Sequence, residues 1–433
     1  MSFFGKEPKN YRLKQTVFFP LPFFTILAIL LCPVSAQSGS PDFLHDVSPL
    51  FSRLKCNMAM CHGKAEGQNG FKLSVFGFNP EGDYRTLINE SRGRRLSFGA
   101  PSDSLLLRKA TGEIGHGGGI TLTKGTREYQ MFRDWIAAGA PYSTGERPPL
   151  VKLRIEPEQK LLDFGAQQPL QVWAQYADGS RKDVTWQAVF RANNPDMAKV
   201  APSGQVSIEH SIGQASVMAR YQGEVAVFQA FIPRPGAKGS FPRRPVHNFI
   251  DKLVDAHLQR LNVHPSGITD EATFLRRVHL DIIGKLPTAA EAKRFLQSKA
   301  KNKRAQLVEA LLARPEYADH WALKWSDILR VDRLALGHEK AHAYYQWIHG
   351  SFAANKPLDQ LARDLLTVEG PLAEEPAGYF YQAAKKPGEM AAMTSQIFLG
   401  IRITCAECHQ HPYDRWRQQD FHGMRGFFQQ VSY

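Results

Sequence analysis

Cys405-Ala406-Glu407-Cys408-His409 is the stretch on which the reading of this chain turns. Two cysteines three positions apart, with a histidine directly after the second, form the CxxCH spacing. Through that spacing thioether bonds hold a haem while the histidine supplies the proximal iron ligand. A looser version lies far upstream at Cys56-Asn57-Met58-Ala59-Met60-Cys61-His62, where four residues separate the cysteines. The two motifs use four of the five cysteines in the chain. They predict a redox protein with two c-type haems, tethered by Cys56, Cys61, Cys405 and Cys408, with His62 and His409 on the irons. Two other chemistries fit the same letters. Either cysteine pair could close a small disulfide loop. Cys405, Cys408, His409 and His411 could make a Cys2His2 zinc set, although so compact a cluster strains tetrahedral geometry.

The N-terminus bears on that choice. Lys6, Lys9, Arg12 and Lys14 stand against a single Glu7, an almost unbroken apolar run follows from Thr16 to Leu31, and Val34-Ser35-Ala36 supplies the small residues a signal peptidase accepts. Residues 1–36 are read as a secretory signal, with an uncleaved membrane anchor as the alternative. Export to the periplasm or cell surface favours disulfides, but it also delivers a chain to where haem is attached to apocytochromes. The formal charge is +13; the first 36 residues contribute four Lys or Arg and one Glu, leaving +10 for the exported chain. The basic residues are scattered over amphipathic helices, as with Arg276, Arg277, Lys293 and Arg294, so nucleic acid is not an expected partner.

Outward from the motifs, the chain reads as multidomain. Residues 42–142 read as all-α: Phe43, Val47, Leu50, Phe51 and Leu54 recur at near-helical spacing and run into Cys56, and Tyr129, Phe132, Trp135 and Ile136 line a closing helix that stops at Gly139. Residues 151–233 read as all-β. Leu170–Tyr176 and 225–231 are strand-like, with turns at Asp178-Gly179 and Gln222-Gly223, and about seven short strands predict a sandwich. Residues 234–245 are a linker rich in proline, glycine and basic residues. Residues 246–433 are helical, with a stripe at Phe249, Ile250, Leu253, Val254 and Leu261 and a capping box at Thr288 and Glu291.

Three stretches carry a family resemblance. "CHGKAEGQNGFKLSVFGFNPEGDY", "SLLLRKATGEIGHGGG" and "WIAAGAP" resemble the cytochrome c domain common in planctomycete bacteria, with Gly115-His116-Gly117 where that domain has a Met-Pro-Pro motif. "YADGSRKDVT", "NNPDMAKVAPSGQV" and "GQASVMARYQG" are similar to bacterial immunoglobulin-like domains of group 2. "ATFLRRVHLDIIGKLPTAAEA", "LLARPEYADHWALKWSDILRV" and "FLGIRITCAECHQHPYDRW" resemble the helical domain of unknown function that follows the cytochrome in the planctomycete proteins. Relatives of that kind usually carry a further large domain, so a shortened member is expected.

The sixth ligand decides whether each iron only carries electrons or also binds a small molecule. By its place in the resemblance, His116 is expected opposite His62, with Met131 and His45 as fallbacks. For the second site the candidates are His422, Met424, Met390 and Met393. The expected function is electron transfer with a periplasmic redox partner protein, and a haem oxidoreductase if the second iron keeps an open position. The rival is a surface scaffold whose sandwich contacts glycan or protein and whose cysteines are disulfides. No GxSxG, HExxH or phosphate-loop pattern supports a hydrolase.

Overall fold

The computed structural model describes residues 40–431 apart from 144, 146–147, 237–240, 243 and 412. The expected signal segment, with Cys32, lies outside the described residues. Among the described residues no helix is long and apolar enough to cross a membrane.

The first part is built from short helices. A wide helical turn at Phe43–Val47 continues into Ser48–Arg53, and Asp42 caps it by accepting the His45 N–H at 2.8 Å. Pro80–Ile88, Leu105–Ala110 and Arg127–Ala137 follow. The last is capped by the Thr126 hydroxyl and ends, as its sequence predicts, just before Gly139 at φ +84°. Phe43, Leu50, Trp135 and Ile136 are fully buried at the centre of this core, and Trp135 donates its indole N–H to the Pro141 carbonyl at 3.0 Å.

Residues 150–232 hold ten strands where the sequence suggested about seven. They are β1 Leu150–Glu156, β2 Gln159–Leu161, β3 Gln167–Pro169, β4 Gln171–Tyr176, β5 Arg181–Asp183, β6 Val189–Ala192, β7 Ala198–Val200, β8 Gln205–Ile208, β9 Gly213–Tyr221 and β10 Glu224–Ile232. The extra strands are three-residue pieces, too short for alternation to announce. They form three small sheets, ordered β1-β4-β5, β2-β10-β9-β6 and β3-β8-β7, around one core of alternating residues such as Val172, Ala174, Val217, Ala219 and Phe228. The β9–β10 hairpin turns at Gln222-Gly223, both at positive φ, and Tyr221 pairs with Glu224 across the turn.

Residues 249–426 are mostly helical. The Thr288 and Glu291 capping box forms as expected, with the Thr288 N–H donating to the Glu291 carboxylate at 2.7 Å. Tyr344, Ile348, Leu365 and Phe380 lie at the centre of the main helical core. The first helix, Phe249–Arg260, departs from expectation. Its apolar stripe is present, but Phe249 is 71% and Leu253 65% exposed, and only Leu261 just beyond it is buried. Periodicity reports which residues share a face and says nothing of whether a partner covers it.

The β9–β10 hairpin touches both of the other parts. The Tyr221 hydroxyl donates to the His45 carbonyl at 3.1 Å, and Gln222 Nε2 to the Leu44 carbonyl at 3.3 Å. On the other side the Arg220 guanidinium donates to the His411 carbonyl, and Arg417 pairs with Glu224. Gly223 lies so close under the Gln410 side chain that a Cβ there would come within 2.6 Å of it.

Candidate functional site

The upstream motif sits on the turns after Ser48–Arg53. Lys55, at φ +62°, reverses the chain; the Cys56 N–H donates to the Phe51 carbonyl at 2.8 Å and the His62 N–H to the Cys56 carbonyl at 3.0 Å. The four residues between the cysteines are therefore closed into a compact loop that brings both thiols and the histidine together. Burial, and then the nearby Cys61, push the Cys56 thiol up to about 12. All four described cysteines are free thiols, Cys405 and Cys408 being exposed.

The sequence pairs His62 with His116 across 53 intervening residues, and the structure brings them together. Their ring centroids are 6.2 Å apart and their planes 9° from parallel. Each ring is also oriented from behind. His62 Nδ1 lies 2.9 Å from the Phe71 carbonyl, and His116 Nδ1 2.8 Å from the Gly119 carbonyl. A carbonyl can only accept, so both Nδ1 atoms carry hydrogen and both Nε2 atoms are left for a metal, the arrangement metal-binding histidines usually have. Burial lowers the His62 pKa, with the facing His116 and then Arg95 as smaller contributors, which keeps the ring neutral and able to bind metal at pH 7.

The supports are specific. Buried Arg95 donates to the carbonyls of Thr86, Glu90 and Gly70 at 2.6, 2.9 and 2.6 Å and lies over the Phe71 ring at 4.9 Å. It thus fixes the segment whose carbonyl orients His62. Around His116 the chain turns tightly, the Gly119 N–H returning to the His116 carbonyl at 2.9 Å. A Cβ at Gly118 would stand 3.1 Å from the His116 ring, so glycine leaves that ring its place. Met60, in the cysteine loop, and Ile120, beside the glycine turn, are 88% and 72% exposed.

The fallback ligands are placed elsewhere. His45 is buried with its Nδ1 3.0 Å from the Asp42 carboxylate. Met131 is half-buried against the core of the first part.

The downstream motif lies on the turn Thr404–Glu407. Ala406 packs with Ile403 and Phe421, and Met424 joins the same cluster, while Met390 and Met393 are buried in the main helical core. His422 is exposed beside Phe421. His409 Nδ1 sits 2.6 Å from the Gln410 carbonyl, which again leaves Nε2 outward. His411 differs: its Nδ1 accepts the Tyr413 N–H at 3.2 Å, and the residue is buried. Among the described residues no three His, Cys, Asp or Glu side chains converge as a protein-only metal site would require, so the Cys2His2 zinc set is not assembled. A haem asks less, because the porphyrin supplies four nitrogens and the protein only axial ligands.

Sequence reasoning did not single out Phe76 or Arg220. Phe76, at φ +57°, places its ring edge-on to His409 at 5.6 Å, and the Arg220 guanidinium lies 5.0 Å from the same ring. Both lie in stretches that carry a family resemblance, which says nothing of what either side chain touches; their relevance comes from tertiary contact.

Residues 249–433 match the family described as PSCyt2, protein of unknown function (DUF1549). The match covers the helical part with its CxxCH motif and assigns it no activity. No curated protein matches the chain.

Proposed function

We propose that this chain is an exported c-type cytochrome-like electron carrier. In this reading residues 42–142 are a cytochrome c-like domain, 151–233 an immunoglobulin-like domain, and the helical part carries a second haem. The observation that carries the reading is the near-parallel His62 and His116 pair beside Cys56 and Cys61, each ring tied through Nδ1 to a carbonyl. Cys56 and Cys61 would tether one haem, with His62 and His116 as the protein groups that would bind its iron. Cys405, Cys408 and His409 would hold the other. Bound there, haem iron supplies exchange of single electrons between ferrous and ferric states.

The chain's own residues do the rest. Burial holds His62 neutral, and Arg95, bonded to the Gly70 carbonyl and lying over the Phe71 ring, steadies the segment whose carbonyl orients it. The glycine turn presents His116 without a side-chain wall, and Phe76 sets the first part against His409. The partner this implies is a periplasmic redox protein. A chain with two protein ligands at the first site would carry electrons rather than catalyse, and the second site, where the motif offers only His409, is where an oxidoreductase role would reside.

Mass spectrometry of the full chain, produced with a haem-attachment system, tests this: each covalent haem adds about 616 Da, whereas a disulfide removes about 2 Da. Cys56→Ala and Cys405→Ala should each abolish one attachment and reduce the pyridine haemochrome signal accordingly. A colourless product with the mass of two disulfides would refute the reading and leave the scaffold alternative.

A further inference from the structure

Where the first helices meet the β9–β10 hairpin, a cavity of about 30 Å³ lies among Ser48, Ser52, Phe76, Gly77, Gln187 and Arg220. Arg220 is only 6% exposed. Its Nη2 donates to the His411 carbonyl and its guanidinium lies 5.0 Å from the Phe76 ring, but Nε and Nη1 have no hydrogen-bond partner among the described residues, and the nearby group that favours its charge is Tyr413 rather than a carboxylate. Burial lowers it to about 10, so it still carries its charge at neutral pH. A buried cation without a counter-charge is strongly disfavoured, and the usual remedy is a paired anion.

The opposite wall supplies more donors. Ser52 Oγ accepts from Asn57 Nδ2 at 2.8 Å, which leaves its hydroxyl hydrogen free to point elsewhere. Gly77, at φ +70°, passes close by: a Cβ there would lie 3.6 Å from Ser48 Oγ and 3.8 Å from Ser52 Oγ. Gln187 Oε1 is an unpartnered acceptor on the wall, its amide nitrogen being committed to the His45 carbonyl at 3.2 Å. A water needs roughly 10–15 Å³ of such space. The cavity therefore has room for one small anion on the Arg220 side and one water donating to Gln187, but not for a phosphate ester.

We propose that this cavity is a binding site for a single carboxylate group, held by a free N–H of the Arg220 guanidinium and by the Ser48 and Ser52 hydroxyls. The carboxylate has two sources: a free small acid, or a propionate of haem attached at a neighbouring motif. The site itself does not depend on the haem reading; only the second source does.

Formate is the probe, titrated calorimetrically into the full chain in chloride-free buffer, in the apo form and after haem attachment. The apo chain should take up one formate saturably. Ser52→Ala should weaken uptake by about tenfold, as expected for one hydrogen bond to an ion, and Arg220→Met should abolish it. Far-UV circular dichroism checks that each variant folds, and Ser52→Ala keeps the test decisive if Arg220→Met does not. Formate uptake that disappears after haem attachment identifies the propionate as occupant; equal uptake in both forms identifies a free acid. Absence of saturable uptake by the apo chain, or uptake indifferent to both substitutions, means the cavity holds water only and overturns the proposal. A chain that never acquires haem would sink the electron-carrier reading while leaving the apo titration valid.

Discussion

Asp83→Asn should stabilise this protein at neutral pH and do nothing for it near pH 4. Asp83 is 6% exposed, and its carboxylate receives both the backbone N–H of Ser74 and the Ser74 hydroxyl, the latter at 2.7 Å. Burial, outweighing those two hydrogen bonds, raises its pKa to about 6 from 3.8. A carboxyl raised on folding is the reverse of the usual case. Between pH 3.8 and 6 the folded state holds more protons than the unfolded state, so stability falls as pH rises through that window and levels off above it. At about 1.4 kcal/mol per unit, the penalty at pH 7 is on the order of 3 kcal/mol. Asparagine resembles the protonated acid. Its carbonyl can accept the Ser74 N–H, and its amide can donate to Ser74 Oγ, which already accepts the Asn79 N–H at 2.9 Å. The expected gain is about 2 kcal/mol at pH 7, since some of the two charge-assisted bonds is given up. Urea melts of the apo chain from pH 4 to 8, with hydrogen exchange of the Pro80–Ile88 amides, would measure it. A variant less stable than wild type at pH 7, or a wild type whose stability climbs between pH 4 and 6, would refute the argument.

Other outcomes follow from the same geometry. His116→Ala should leave covalent haem at Cys56 and Cys61 intact by mass but convert that site's spectrum to one that responds to carbon monoxide, because His62 alone would remain on the iron. In the apo chain, iodoacetamide at pH 8 should label exposed Cys405 and Cys408 well before Cys56, whose thiol is pushed up to about 12; peptide mapping reads the order. Trp135→Ala, which empties a fully buried position and frees the Pro141 carbonyl, should cost about 3–5 kcal/mol and show as loss of cooperative unfolding of the first helices.

What the sequence disclosed and what it withheld divide along a physical line. Local chemistry was legible. The helix ending before Gly139, the Thr288 and Glu291 capping box and the Gln222-Gly223 hairpin turn each depend on a few adjacent residues and are found where their letters place them. The His62 and His116 pairing came from the resemblance, since nothing in 53 intervening residues dictates that two rings should meet. Arg220 was illegible for another reason. It lies on β9 in ordinary strand sequence, and its burial arises only when a third segment, His411, closes over it. The exposed stripe on Phe249–Arg260 shows the same limit from the other side, for a periodic face was foreseen and its lack of cover among the described residues was not.

The contact between Phe76 and His409 bears on whether the two motifs act as one unit. His62 accepts the Leu73 N–H at 2.8 Å through its carbonyl, Phe76 follows three residues later, and its ring lies 5.6 Å from that of His409. Three residues span at most about 11 Å, so the His62 backbone and the His409 ring are within roughly 25 Å of one another. The linker at residues 234–245 would by itself permit separations on the order of 40 Å. The Phe76 contact and those of the β9–β10 hairpin, through Arg220, Tyr221, Gln222 and Glu224, therefore hold the motifs near each other. Spin labels on Cys61 and Cys405 of the apo chain, with Cys32, Cys56 and Cys408 changed to serine, test this without any haem present. Pulsed dipolar spectroscopy should give one narrow distribution centred below about 35 Å, allowing for the label arms. Phe76→Ala should broaden it. A broad distribution in the unsubstituted background would mean that the two motifs travel on independent bodies, and that any electron passing between them would need an outside carrier.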